Sequence, residues 1–368
     1  MNSIPETTTP AAATHENRTV PLWLNLLGRM WAWVFLLTLV VFFSIANSAF
    51  LSVASAMNIL ITATPVLLMA LGQTYIIISS GIDLSVGWTM GLASVVSAMA
   101  MQGLYNGGMP EVPAILIGFA AGIAVAILPG LANGLLIARV NVPPFIATLG
   151  MFNVARGVAL LLSGGQTVTA LPPHLTDFGN GYLLYNLRDK WFFFSLPDGL
   201  ERADLREVSR VLPYPVIVAA VIVIIMAFVL KRTRFGRRTY AIGGNVDAAI
   251  RAGIPVRLHK IRLYVLSGVL AGVAGILYTA RFTGGSHMAG EAALLDTVAA
   301  VVIGGASLNG GSGTVTGTIV GALIISVLTV GLVIMNVPPF WQFVAVGIVV
   351  ILAVLIDQAQ SLLARSEE

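Results

Sequence analysis

Ser80, Asp83 and Ser85 fall within the stretch SSGIDLSVG (79–87), where Gly81 and Gly87 bracket a break in an otherwise apolar region. Hydroxyls and a carboxylate so placed are hydrogen-bonding groups, suited to meeting a polyhydroxy molecule. A break of this kind inside a membrane is tolerated where it lines a cavity or is buried in protein. The same residues also suit a tight loop in which Asp83 is the N-cap of the helix that follows; both readings stand. Gln73, Asn133, Asn153 and Arg156 are further polar groups inside apolar runs. Amides in such places commonly bond from helix to helix. An intramembrane charge faces a bundle interior or a partner; for Arg156 a functional gate and a structural ion pair are both open, with the structural pair favoured.

The second chemistry-bearing stretch is KRTRFGRRTYAIGGNVDAAIRAGIPVRLHKIR (231–262), rich in arginine and lysine with Asp247 as its single acid. Inside it Gly243, Gly244 and Asn245 form a start signal, VDAAIRAG reads as a short helix, and Gly253 and Pro255 end it. Clustered positive charge is ordinary beside a membrane. A capped helix with an alanine face is not explained by charge, and it is read here as an element that docks on a partner.

Several chemistries are excluded. The chain has no cysteine, hence no disulfide framework, thiol nucleophile or thiolate metal site. His287, Glu291 and Asp296 in GGSHMAGEAALLD lack the spacing of a metal motif. Lys190, Lys231 and Lys260, the only lysines, stand outside any G-x-x-x-x-G-K-[ST] frame. The Gly-rich IGGASLNGGSGT (303–314) is therefore read as a flexible turn, not a phosphate cradle. No nucleophile–base pair falls on facing helices, so a membrane-embedded enzyme has no support.

These groups are set in 368 residues, 57% hydrophobic and 10% charged, with a mean hydropathy of +0.91. Soluble domains carry about a quarter charged residues, so much of this exterior must face lipid. The pI near 9.6 and net charge of +4 come from one loop without interleaved aromatics, which argues against nucleic acid. Apolar runs give about ten spans, near 31–48, 57–78, 85–103, 113–138, 144–162, 213–230, 262–281, 293–307, 314–335 and 340–357. The first run is longer than a signal h-region and is read as a retained helix.

The positive-inside rule puts 231–262 in the cytoplasm, and counting spans puts both termini there too. Residues 1–28 read as a disordered cytoplasmic tail, 29–358 as the transmembrane domain and 359–368 as a second cytoplasmic tail. The long segment 163–212 falls outside, its mixed charges offering no contradiction because long loops translocate regardless of charge. Its DKWFFFSLPDGLERADLREVSR is read as an interfacial amphipathic element with Trp191–Phe194 at the membrane surface.

NVPPF occurs at Asn141–Phe145 and again at Asn336–Phe340, before the fifth and tenth spans. If spans two to five correspond to seven to ten, the odd offset of five places the copies on opposite faces, as an inverted-topology repeat. Asp83 before span three and Asp296 at the start of span eight fit that alignment. The fold expected is an all-α polytopic membrane protein of about ten transmembrane helices.

GQTYIIISSGIDLSVGW (72–88), VPPFIATLG (142–150), YAIGGNVDAAIRAGI (240–254) and LLDTVAAVVIGGASLNGGSGTVTGT (294–318) resemble the membrane permease subunits of bacterial ABC sugar importers, of the ribose/xylose/galactose type. The resemblance runs from Trp31 to Asp357, and the stretch Tyr182–Leu212 is longer than the family pattern. It implies an inner-membrane chain that pairs with a second permease, identical or homologous. It also implies a separate subunit that binds ATP and Mg, and a periplasmic sugar-binding protein. By this likeness Gly243, Gly244, Asn245, Ala248, Ala249, Gly253 and Ile254 form the helix that couples to the ATPase. Gln73, Ser80, Asp83, Ser85, Phe145 and Asn153 are the candidates for a translocation path. No cofactor is expected in this chain. The competing reading is an ion-coupled secondary transporter, which an inverted repeat also suits, although intramembrane carboxylates are few.

Overall fold

The computed structural model describes residues 22–195, 204 and 207–365. Its elements run α1 (Leu22–Ala46), a 3-10 turn (Ser48–Leu51), α2 (Val53–Ile78), α3 (Val86–Asn106), α4 (Glu111–Arg139), α5 (Pro144–Ser163), α6 (Leu175–Asn180) and β1 (Tyr182–Leu187). There follow β2 (Lys190–Phe193), β3 (Ser209–Pro213), α7 (Tyr214–Arg232), α8 (Arg234–Gly244), α9 (Val246–Arg251), α10 (Val256–Phe282), α11 (Ala293–Ile303), α12 (Val315–Ile334) and α13 (Pro339–Arg365). Each apolar run of the sequence is occupied by one of these helices. Among the described residues six of them, α2, α4, α5, α7, α10 and α12, are long and apolar enough to cross a membrane. Met30–Ala46 of α1, α11 and Pro339–Leu352 of α13 are shorter apolar helices.

Some boundaries differ from the sequence reading. α1 begins at Leu22, inside the stretch 1–28 read as a tail, and α13 continues to Arg365, inside 359–368. α11 stops short of 307 because Gly304 and the left-handed Gly305 (φ 81°) end it. The loop 231–262 is itself mostly helical: α8, α9 and the first turns of α10 occupy it.

Packing centres on α10, which lies against α2, α3 and α4, while α2 also contacts α7, α11 and α12. Lipid supplies no hydrophobic force between helices, so close backbone approach and interhelical hydrogen bonds must hold them. Small residues permit that approach. Gly134 of α4 faces Ile261, where a Cβ would stand 2.8 Å from the Ile261 Cα, and Gly268 of α10 rests on the Ala126 carbonyl. Buried hydroxyl pairs tie further helices, Thr74 to Thr318 at 2.6 Å and Ser94 to Thr279 at 2.8 Å.

Two non-helical segments interrupt the helical layer. Residues 79–85 lead from α2 into α3, and 283–292 lead from α10 into α11. The second runs antiparallel along α3, with Gly285 beside Ser94 and Val95 and Gly290 in backbone contact with Gly87. Gly275 of α10 packs on Met90, so the first turn of α3 sits beyond the midpoint of α10. The N-termini of α3 and α11 thus meet within the layer, Gly87 against Leu294.

On the face opposite the basic loop, the described residues of 189–210, read as an interfacial amphipathic element, are strand at Lys190–Phe193 and from Ser209 onward. A three-stranded antiparallel sheet of order β2-β1-β3 stands there. Arg188 and Asp189 (φ 49° and 64°) make a tight turn that pairs Leu187 with Lys190, the backbone twist preferred in two-residue hairpins. A run of four aromatic residues, Trp191–Phe194, then favours the strand, leaving Trp191, Phe193 and Phe194 exposed. Residues 196–203, 205 and 206, which belong to the same expectation, lie outside the described residues.

His174 fastens this region to α4. Its Nδ1 lies 2.5 Å from Glu111 Oε2, and its backbone N–H donates to the same oxygen at 3.0 Å.

Two outcomes follow. Gly268→Val drives a branched side chain into the Ala126 carbonyl and is expected to lower stability by about 1–3 kcal/mol, the scale of overpacking, read as a lower unfolding midpoint in detergent. The neighbouring carboxylate raises the pKa of His174 above its ordinary value. The clasp's pH-dependent contribution is complete below the free imidazole value of about 6.5 and fades as pH rises through the higher folded value. Amide exchange in Leu175–Asn180 is expected to gain an extra acceleration over that interval, and His174→Ala to abolish it.

Candidate functional site

The basic loop builds a braced platform. Thr233 caps α8 by accepting from Phe235 N at 3.2 Å, and Asn245 caps α9 by accepting from Ala248 N at 2.9 Å. Gly253 (φ 75°) closes α9 in the left-handed region, where a side chain is strained, and Ile254 N reaches back to Ala249 O at 3.0 Å. Gly244, Asn245, Ala248 and Gly253 are exposed. Ala249 instead packs inward with Ile242 and Val256, and Ile254 rests on that cluster. Ile250 lies 56% exposed beside Arg251, an apolar contact in a charged rim.

Gly243 points the other way, onto the Ile78 carbonyl at the end of α2, leaving no room for a Cβ. Ser80, held at φ 60°, donates its hydroxyl to Asn309 O at 3.0 Å and Gly243 O at 3.3 Å. Gly311 N donates to Ile78 O at 2.9 Å, and Tyr240 OH to Gly313 O at 2.7 Å. The Gly-rich stretch 303–314 is therefore not a free turn: α8, the end of α2 and this turn are tied together.

Farther inside, Asp83 is 2% exposed and saturated. Its Oδ1 accepts from Ser85 N at 3.0 Å and Ser85 Oγ at 2.6 Å, and its Oδ2 accepts from Ser267 Oγ at 2.9 Å. Asn133 Nδ2 donates to Ser85 Oγ at 2.9 Å, and Tyr264 OH to Ile82 O at 3.1 Å. The N-cap position of α3 belongs to Ser85, not Asp83. Asp83 holds the break to α10, with Ser85 linking it to α4.

The remaining candidates are dispersed. Gln73 is buried in α2, and neither amide atom has a partner among the described residues. Phe145 is 56% exposed on α5. Asn153, exposed on the same helix, donates to its own Leu149 O at 3.3 Å. The ion pair expected for Arg156 is absent among the described residues. Its guanidinium lies 5.0 Å from the centroid of the Trp88 ring. Ser267, Tyr264, Tyr240 and Trp88 were missed because their partners lie far off in sequence; only Trp88, one turn after Ser85, carried a local hint. Among the described residues no group of three or more His, Asp or Glu is arranged to hold a metal.

A layer of apolar helices with internal breaks, joined to a capped helix on a basic face, defines a membrane transport subunit. Residues 55–354 match the family model described as branched-chain amino acid transport system / permease component. The chain is 37% identical to the ribose import permease protein RbsC of Bacillus subtilis, over 89% of this chain and 91% of that one. It is 37% identical to the xylose transport system permease protein XylH of Haemophilus influenzae, over 86% and 92%. With the galactose/methyl galactoside import permease protein MglC of Escherichia coli the identity is 34%, over 88% and 92%. No solved structure matches the chain. The chain belongs to this permease family, in its ribose/xylose/galactose-type branch, and is the transmembrane permease subunit of an ABC importer, a transport subunit rather than an enzyme.

Gly243→Ala places a methyl group on the Ile78 carbonyl. It is expected to lower the free energy of local opening there by about 1–3 kcal/mol, measured as faster amide exchange at Gly311.

Proposed function

We propose that this permease carries a simple sugar or polyol across a bacterial inner membrane, with alternating access driven by a separate ATP-binding subunit docked on Gly243–Ile254. The observation that carries this reading is the capped α9, exposed on one side and packed on the other against α8 and α10, with α8 in turn set on the end of α2 through Gly243. Such an element transmits force from a partner, and the resemblance gives that partner as the ATPase. The substrate class rests on the relatives, whose names specify ribose, xylose and galactose, whereas the wider family description names branched-chain amino acids. A periplasmic sugar-binding protein would deliver the substrate, and a second permease, identical or homologous, would complete the path. The basic loop supports a cytoplasmic placement of 231–262 and of both termini.

The ten-span inverted repeat has support in the packing. Exchanging α2 with α10, α3 with α11, α4 with α12 and α5 with α13 turns the α4–α10 contact into α12–α2 and α3–α4 into α11–α12. It also turns α3–α10 into α11–α2, α3–α5 into α11–α13 and α4–α5 into α12–α13, and all these pairs touch. Equivalent joints share backbone form: Asn141 and Asn336 (φ 62° and 56°) precede the two VPPF turns, and Ser80 and Thr283 (φ 60° and 48°) end α2 and α10. A secondary transporter would also use such paired breaks, so the repeat by itself does not choose between the two, and membership of the permease family does.

The deciding experiment is a mild-detergent purification of the tagged chain from its native membrane, paired with uptake assays. Co-purification of a P-loop ATPase that is lost on Gly253→Asp, with uptake abolished by ATP depletion, is the expected result. Uptake that survives ATP depletion and stops with an ionophore would establish the ion-coupled carrier instead.

A further inference from the structure

Arg156 stands in the middle of α5, exposed, with no carboxylate partner among the described residues. α5 is apolar enough to span a membrane, and a charge there is costly against lipid. Arginines near helix ends escape by stretching toward the headgroups, but this side chain lies over the ring of Trp88. Trp88 belongs to the first turn of α3, which starts within the helical layer, and is itself 2% exposed. The positive end of the α3 dipole adds no stabilisation for a cation. The guanidinium is thus fixed at depth without a counter-charge from its own chain.

We propose that Arg156 is a substrate-binding residue, presenting its N–H donors to hydroxyls of a polyhydroxy solute in a water-filled path along α5, with Trp88 as its positioning residue. A guanidinium stacked on a ring keeps its donors free at the edge, in a planar fork that matches two adjacent oxygens. Asn153 lies one turn away on the same side, and its amide oxygen has no partner among the described residues, so a donor and an acceptor stand side by side. A diol supplies the complement to both. This inference rests on the reading of the chain as a sugar permease.

The chain has no cysteine, so Arg156→Cys gives each copy of this chain in the intact importer one thiol, and labelling is read on this chain. The probes are tritiated D-ribose, D-xylose and D-galactose, first tested for ATP-dependent uptake by the unmodified importer; uptake of none of them overturns the sugar reading itself. With a transported sugar in hand, the thiol is expected to react with a charged, water-soluble methanethiosulfonate, and that sugar to slow the reaction. Reaction only with a lipid-soluble maleimide, a disulfide between two copies, inertness to both reagents, or no slowing by sugar would each overturn the inference. In uptake assays Arg156→Ala is expected to raise KM about tenfold or more, the loss of a charge-assisted hydrogen bond, while the ATPase still co-purifies. Trp88→Phe is expected to fall between Ala and wild type, because it keeps a ring with weaker attraction for the cation. An unchanged KM in Arg156→Ala also overturns the assignment.

Discussion

Peptide groups inside a bilayer have no water to bond with, and each one left unpaired costs several kcal/mol. A helix meets this demand by itself; a non-helical segment does not, and this chain carries two of them. In 79–85 several of the groups are paired. Ser80 N and Gly81 N return to Ile77 O and Ile76 O, Ser85 N goes to the Asp83 carboxylate, and Ile82 O takes the Tyr264 hydroxyl. In 283–292, Gly284 N returns to Thr279 O, Gly285 exchanges bonds with Val168, and Ser286 N finds Ser94 Oγ. The polar side chains within the layer are therefore first of all the means by which two breaks exist there. The glycine contact of Gly87 with Gly290 is the steric side of the same requirement.

Satisfying the first break has a mechanical consequence. Ser80 can hold Gly243 and Asn309 only if α8 and the Gly-rich turn stay against the end of α2. From there, 81–85 lead directly to Asp83 and so to Ser267 on α10. A displacement of α9 would reach the centre of the bundle through hydrogen bonds and one short non-helical segment, without bending a long helix. Spatial continuity is not by itself coupling. Here, however, the two ends are an exposed, capped helix and a break with two discrete neighbours, the kind of element that can adopt distinct arrangements.

What the sequence disclosed follows physical range. The apolar runs, the Asn245 cap and the stop at Gly253 depend on neighbours within a turn or two, and all were legible. The proposed repeat was suggested by NVPPF because each copy builds its own local joint. Ser267 as the partner of Asp83, the grip of Ser80 on Gly243, and Trp88 under Arg156 join elements far apart in the chain, and only the packing reveals them. The sheet was not legible for another reason. KWFFF has both the aromatic weight of an interfacial helix and the propensity of a strand, and the Arg188–Asp189 turn, which favours the strand, needs two left-handed residues that neither type announces.

Hydrogen-bond saturation separates structural polar groups from functional ones. Asp83, the most conspicuous acid of the sequence, already accepts three bonds and is closed to solvent. For it to bind a passing solute, the joint that maintains the break would have to open. Arg156 and Asn153 are the reverse: exposed, incompletely bonded and located on a helix with little burial. A transport path needs groups that release what they hold, and a few donors and acceptors beside water meet that need, since a solute exchanges its hydration for bonds of similar strength. On the proposed reading the chemistry of passage belongs on α5, while the bonded carboxylate of Asp83 holds the joint before α3, against which α5 packs.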